Sequence, residues 1–440
     1  MCISKRQKRV TAILGAGVNL SFFDWCDNTP STANITKRLV TTPEIVYYDG
    51  SKGAISPLIR RVYEKLCADN PQGALDPNAE ASYGIVHFER IFHVLEMLES
   101  YSHVWVYKYC DFTKVPLFAY FTSPNFTYTS EELYRALSQV VYIIMDFVNH
   151  YDVFYLAEKD NTCAWYKEFW QVAPFKWDIF NFNYDTTIEH SISCEDGFED
   201  VPNYAPLKKF TPQNLLQSTN NTINHIHGCI LYSYSNLKLQ DENKEQYERN
   251  SHDWYKWPTF QESMGHFVGH GMSPMIAQNG DSIYHSPIIT GLNKTDKLTI
   301  QPFATYRYHL SHKISQNSSL IIAGYSFGDY YVNLELEHLK LLHGDKLRVV
   351  VIDYWNTDKY SQNKIVGMCI FLRKLPFENH ELYMFLCKVM HISTIDEYSY
   401  SKIISQDKPF VSENKQLMLF TGGMKLALHY KDEIYRFLQS

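Results

Sequence analysis

The sequence predicts an α/β protein, a Rossmann-like, mostly parallel sheet flanked by helices, with a large helical insertion and a helical C-terminal extension. Three observations lead there. Short β-branched runs recur along the chain, helical patterns alternate with several of them, and glycine or polar residues follow the ends of five of them. The 440 residues are 45% hydrophobic and 20% charged, enough apolar surface for one large core or several smaller ones, which excludes a disordered or fibrous chain.

The first run, Lys8 to Leu14, stops abruptly at Gly15-Ala16-Gly17, as a buried parallel strand entering a tight turn does. Runs of the same kind follow at Trp177 to Phe182, Thr222 to Ile226, Ser286 to Thr290, Leu320 to Ala323 and Leu347 to Ile352. Helical patterns at Phe303 to Ser315 and Tyr331 to Leu342 lie among them.

Between the first run and the second no glycine occurs from Gly84 to Gly197, and the apolar residues fall at helical spacing. Phe88, Ile91, Phe92, Leu95 and Leu98 form one such stripe, and Leu133, Leu137, Val140, Val141, Ile144 and Phe147 form another. A helical lobe of about residues 55–170 is therefore expected as an insertion in a first domain, 1–355. The polar stretch Asn236 to Asn250 reads as an exposed excursion. Residues 356–440 read as a helical extension, with patterns at Glu381 to Val389 and Leu417 to Leu438, suited to packing, oligomerisation or partner contact.

Charge and cysteine usage narrow the setting. Forty-one basic against 48 acidic residues give a net charge of −7, which argues against a chain built to coat nucleic acid or an acidic membrane. The nine cysteines show no C-x-x-C pair and no clustering, so reduced thiols in the cytoplasm are expected. The most apolar stretch, Val140 to Val148, contains Asp146 and is far shorter than the roughly 18 residues of a membrane helix.

Five strand ends carry groups suited to chemistry. Gly15 and Gly17 lack the Cβ atoms that keep a backbone away from a pyrophosphate, although a Gly-x-Gly turn also serves close packing, and Leu20 stands where a third fingerprint glycine would fall. Asn183-Tyr184-Asp185 closes the second strand, with Asp185 able either to act in a site or to cap a helix beginning near Thr186. His227-Gly228 closes the third, and His225 two residues earlier raises a metal pair, for which no third ligand stands at a recognisable spacing. Gly324, Ser326 and Asp329 follow the fourth, with Asp329 placed as an N-cap. Asp353 ends the fifth, where a carboxylate can accept from ribose hydroxyls.

Taken in order, Gly15-Ala16-Gly17, Asn183-Tyr184-Asp185, His227-Gly228, Pro287-Ile288-Ile289 and Gly324-Tyr325-Ser326-Phe327-Gly328-Asp329 resemble the sirtuin family. They resemble more closely its bacterial defence-associated branch, whose members hydrolyse NAD. The resemblance spans about residues 8–355 and implies Asn183 and His227 as the catalytic pair, with Asp185 beside them. It implies Gly15, Ala16, Gly17, Asn19, Gly324, Ser326, Asp329 and Asp353 as contacts to NAD, the substrate. Two departures stand out. No C-x-x-C pair is present to build the zinc module of the deacetylases, so no zinc is expected, and Asn19 stands where those enzymes carry a serine.

The activity so implied is cleavage of NAD to nicotinamide and ADP-ribose, used as an abortive-infection effector against phage. The same resemblance implies a homo-oligomer paired with a HerA-type hexameric ATPase or a short Argonaute, without a membrane or direct nucleic-acid role. Two other readings compete: an NAD-dependent protein deacylase, and a non-catalytic module that binds NAD or ADP-ribose.

Overall fold

The computed structural model describes residues 8–23, 29–47, 49–71, 73–104, 120–121, 128–202, 204, 206–234, 254–265, 275–276, 282–283, 286–291, 294–354 and 408–440. The expected excursion Asn236 to Asn250 and the helical pattern Glu381 to Val389 lie outside them.

Seven strands form the central sheet: β1 (Arg9–Leu14), β2 (Lys176–Asn181), β3 (Thr222–His225), β4 (Ser319–Ala323), β5 (Arg348–Ile352), β6 (Phe410–Val411) and β7 (Leu417–Phe420). Their order is β3-β2-β1-β4-β5-β7-β6, and every pair is parallel except β6 with β7. This is the Rossmann-like α/β architecture read from the sequence. The chain winds outward from β1 to β3, then returns to the other side of β1 with β4, so the reversal falls between β1 and β4.

Strands β1, β4, β5 and β7 are mostly apolar on both faces, as parallel strands covered on both sides are. Val10, Ala12 and Leu14 of β1 join Ile179, Ile321, Val350 and Met418 in the core under the helical lobe. Ile13 joins Phe180, Ile322, Val351 and Leu419 in the core under the helix Phe303–Gln316. The period-2 alternation of each strand thus divides its side chains between two cores.

The lobe is helical. Its helices include α1 (Thr32–Thr41), α2 (Pro57–Ala68), α3 (Phe88–Val104), α4 (Ser130–Glu158) and α5 (Ala164–Gln171). Helix α4 begins at a capping box: Thr129 accepts from the Glu132 amide at 3.2 Å while the Glu132 carboxylate accepts from the Thr129 amide at 2.7 Å. Phe22, beyond β1, packs its ring against Tyr155, Trp165 and Tyr166, binding lobe to sheet through aromatic contacts.

Two expectations are corrected. Ser286 to Thr290 is no sheet strand; its pairing is a single bridge between Ile288 and Gly228, because Gly228 turns the chain there rather than extending β3. Leu417 to Phe420, read as the start of a helix, is instead the parallel neighbour of β5, and the last helix runs from Lys431 to Gln439. That helix ties back to both layers: Ser319 Oγ donates to Leu438 O at 2.7 Å, and Tyr435 OH donates to Phe169 O of α5.

Candidate active site

The site is built where the parallel strands end, around the reversal between β1 and β4. Gly15 and Gly17 donate their amides to Ala323 O at 3.0 Å and Gly324 O at 2.9 Å. A Cβ on Gly15 would stand 2.5 Å from Gly324 O, and one on Gly17 2.8 Å from Gly324 Cα. The glycines therefore let two strand-end turns touch, and Gly324 itself holds φ +57°. This corrects the anion-cradle expectation in part. Both glycine amides are engaged by the end of β4 and its turn, and the chain continues into a single 3-10 turn, Asn19–Phe22, rather than a long helix. Ala16 and Ser326 stand exposed on either side of the glycine contact.

One polar network lies behind that contact. Asn19, 1% exposed, donates its side-chain amide to Asp185 Oδ2. The other Asp185 oxygen accepts from Thr187 N at 3.1 Å and Thr187 Oγ1 at 2.6 Å, so Asp185 both turns the chain and holds Asn19. The Asn19 carbonyl oxygen is buried and has no hydrogen-bond partner among the described residues. Asp152 of α4 accepts from the Thr186 amide at 2.9 Å. Burial, and then the charge of Asp185, push the Asp152 carboxyl well above its ordinary range, and burial raises Asp185 too. Asn183 donates Nδ2 to Gly15 O at 3.1 Å, with its own amide on Asn181 Oδ1 at 3.1 Å.

A second network surrounds His227. Its Nε2 lies 3.3 Å from Asp329 Oδ1 and 3.3 Å from Tyr331 OH. Asp329 also meets Lys294 Nζ at 3.4 Å and accepts from Tyr325 OH at 3.2 Å, and Lys294 pairs in turn with Glu89 of α3 at 2.9 Å. Burial pushes the Asp329 carboxyl up, but the charges of His227 and Lys294 outweigh it and hold the group well below the usual carboxylate range. Burial likewise lowers Lys294, and Glu89 and Asp329 more than reverse it. The His227 ring meets the Phe182 ring edge-on at 5.0 Å, and Phe182 meets Tyr325 at 5.0 Å. Pro287-Ile288-Ile289 braces the turn: Ile289 N donates to His227 O at 2.6 Å and Cys229 N to Pro287 O at 3.1 Å.

Asp329 occupies the N-cap position of the helix Tyr330–Glu337 yet makes no side-chain cap bond, a correction to its capping role. The two neighbouring histidines separate as well. His225 Nε2 pairs with Glu189 at 2.8 Å, and Lys256 joins Glu189 at 3.1 Å and Asp196 at 2.6 Å. Burial raises Glu189, but His225 and Lys256 overcome it and keep the carboxyl far below its ordinary value. Among the described residues no three His, Cys, Asp or Glu side chains are grouped as metal ligands. Asp353 stands two strands from β1, at the end of β5, where Oδ1 accepts from the Tyr354 amide at 2.8 Å.

Sequence reading missed Lys294, Tyr331, Glu89 and Asp152. Lys294 opens a four-residue helix, Asp152 lies inside a 29-residue helix, and only the fold brings either to the strand ends. No helix among the described residues is long and apolar enough to cross a membrane. The chain matches no family model and no curated protein.

Proposed function

We propose that the protein is an NAD glycohydrolase that releases nicotinamide and ADP-ribose, acting as an NAD-depleting effector in anti-phage defence. The observation that supports it best is that Asn183 and His227 each stand two residues beyond Asn181 and His225, the registered pair that ends the adjacent strands β2 and β3. Phe182, just before Asn183, sets its ring edge-on to the imidazole. Asn19 adds a buried acceptor without a donor, the kind of group a ribose hydroxyl satisfies.

The chemistry asks little of the protein. The bond between the ribose C1′ and the pyridinium nitrogen breaks with its electron pair going to that nitrogen, so nicotinamide leaves as a neutral molecule, no acid needs to protonate it, and the transition state at the ribose is oxocarbenium-like. In this reading Asn183 orients the nicotinamide ribose or the attacking water through its amide, and His227 accepts a proton from a ribose hydroxyl or that water. Asp185 sets the position of Asn19, and Ala16 and Ser326 border the path of the cofactor's phosphates. An active NADase is toxic, so the reading includes control by self-assembly and by a HerA-type hexameric ATPase or short Argonaute.

The test is nicotinamide release from NAD by the purified chain, alone and with such a partner, without acylated peptide. Release that Asn183→Ala and His227→Ala each reduce by about 10²-fold or more is the expected result. Binding of NAD without release under every condition would replace the hydrolase with a ligand-binding module, and release only on adding acylated peptide would make it a deacylase.

A further inference from the structure

We propose that Asp329 is a positioning residue that fixes the tautomer of His227, with Nε2–H held toward the protein and Nδ1 left as the nitrogen that accepts a proton. The proposal rests on the hydrolase reading for its kinetic consequence, though not for its structural one.

Four observations carry it. Asp329 sits where a helix cap belongs but spends no side-chain bond on the cap, and its carboxylate stands 3.3 Å from His227 Nε2 instead. Lys294 Nζ on Oδ1 and the Tyr325 hydroxyl on Oδ2 supply a cation and a donor to the same carboxylate, which favours its ionised, accept-only form. A lone pair on Nε2 would face that negative oxygen, whereas an N–H there is attracted to it and has the Tyr331 oxygen 3.3 Å away as a second acceptor. His227 Nδ1 makes no hydrogen bond among the described residues, while Phe182 and the Ile289 amide fix ring and backbone. A base whose far nitrogen is held by a carboxylate is the arrangement that keeps one imidazole tautomer available.

Long-range proton–nitrogen NMR of the full chain labelled with 15N-histidine reads the tautomer directly, recorded above the imidazole titration. The His227→Gln spectrum identifies the His227 signals. The Nε2–H pattern is expected in the wild type, with Asp329→Asn shifting the ring toward the Nδ1–H form because the new amide can donate to Nε2. In parallel, Asp329→Asn lowers kcat for nicotinamide release by about 10²–10⁴-fold while KM stays within about 3-fold, the split expected of a wrong tautomer rather than lost binding. A wild-type ring in the Nδ1–H form overturns the proposal, as does an Asp329→Asn variant with unchanged kcat. Should the wild type release no nicotinamide, the hydrolase reading fails, and the ring nitrogens alone decide between an Asp329-held tautomer and none. If Asp329→Asn does not fold, the wild-type spectrum still decides.

Discussion

The Asn19 side chain donates to the Asp185 carboxylate across 166 positions of sequence, joining the turn after β1 to the turn after β2 inside the protein. Asn19→Ala leaves one Asp185 oxygen without its donor. Unfolding free energy falls by about 1–3 kcal/mol, read from the urea midpoint, and under the hydrolase reading KM for NAD rises about 10-fold as the buried acceptor is lost.

Asp152 and Asp185 form a buried acidic pair, and their pH dependence follows from the raised Asp152 carboxyl. The folded state holds that proton to higher pH than the unfolded chain, whose value is near 3.8. The group therefore costs nothing below that value, and its penalty grows as pH rises through the folded pKa. Asp152→Asn keeps an oxygen for the Thr186 amide and removes the charge. Thermal unfolding is expected to show a gain of about 1–2 kcal/mol at neutral pH that fades on acidification toward the unfolded value.

Gly324 and Gly344 share the left-handed backbone region, with φ of +57° and +55°, but only Gly324 is enclosed. A Cβ at Gly324 would collide with the backbone of Gly17 and Val18, while nothing lies within 4 Å of one at Gly344. Gly344→Ala is expected to cost about 1–3 kcal/mol, the backbone strain alone at φ +55° and ψ −127°. Gly324→Ala adds a backbone collision and is expected to cost about 3 kcal/mol or more in chemical denaturation, with loss of nicotinamide release.

At the opposite ends of the strands, Asp178 is fully buried among Arg9 at 2.5 Å, Lys313 at 3.3 Å and Thr222 Oγ1 at 2.9 Å. Burial raises its carboxyl, and the Arg9 and Lys313 charges bring it below the ordinary value. Asp178→Ala removes the buried carboxylate that faces those two cations, and a loss of about 3–5 kcal/mol is expected from the denaturation midpoint. Asp178→Asn, which keeps Thr222 and Asn317 hydrogen bonds within reach, is expected to lose less.

The first five parallel strands were legible because runs such as Val349-Val350-Val351-Ile352 carry β-branched residues and end in glycine or a polar group. Leu417 to Phe420 escaped because Leu-Met-Leu-Phe has no β-branched residue and runs into a helix, so its periodicity is ambiguous; only the open edge of β5 makes it a strand. The site was legible in part for the same reason. Asn183, Asp185, His227 and Asp329 announce themselves as polar groups after apolar runs. Lys294 and Glu89 are ordinary surface-type residues in sequence, and their meeting at Asp329 depends on the lobe folding over the sheet. Asp353 was legible in the same way, and it stands at the end of β5, on the other side of the reversal from Asn183 and His227.

Glu89, Lys294 and Asp329 form a row of alternating sign that runs from a lobe helix to the His227 imidazole, and all four side chains are at most 22% exposed. Neutralising any one of the three permanent charges strands a neighbour with little water to solvate it, whereas changing Glu89 and Lys294 together removes a matched pair. The row thus couples a lobe helix to the surroundings of the imidazole, and a change at Glu89 is expected to be tolerated best when Lys294 changes with it.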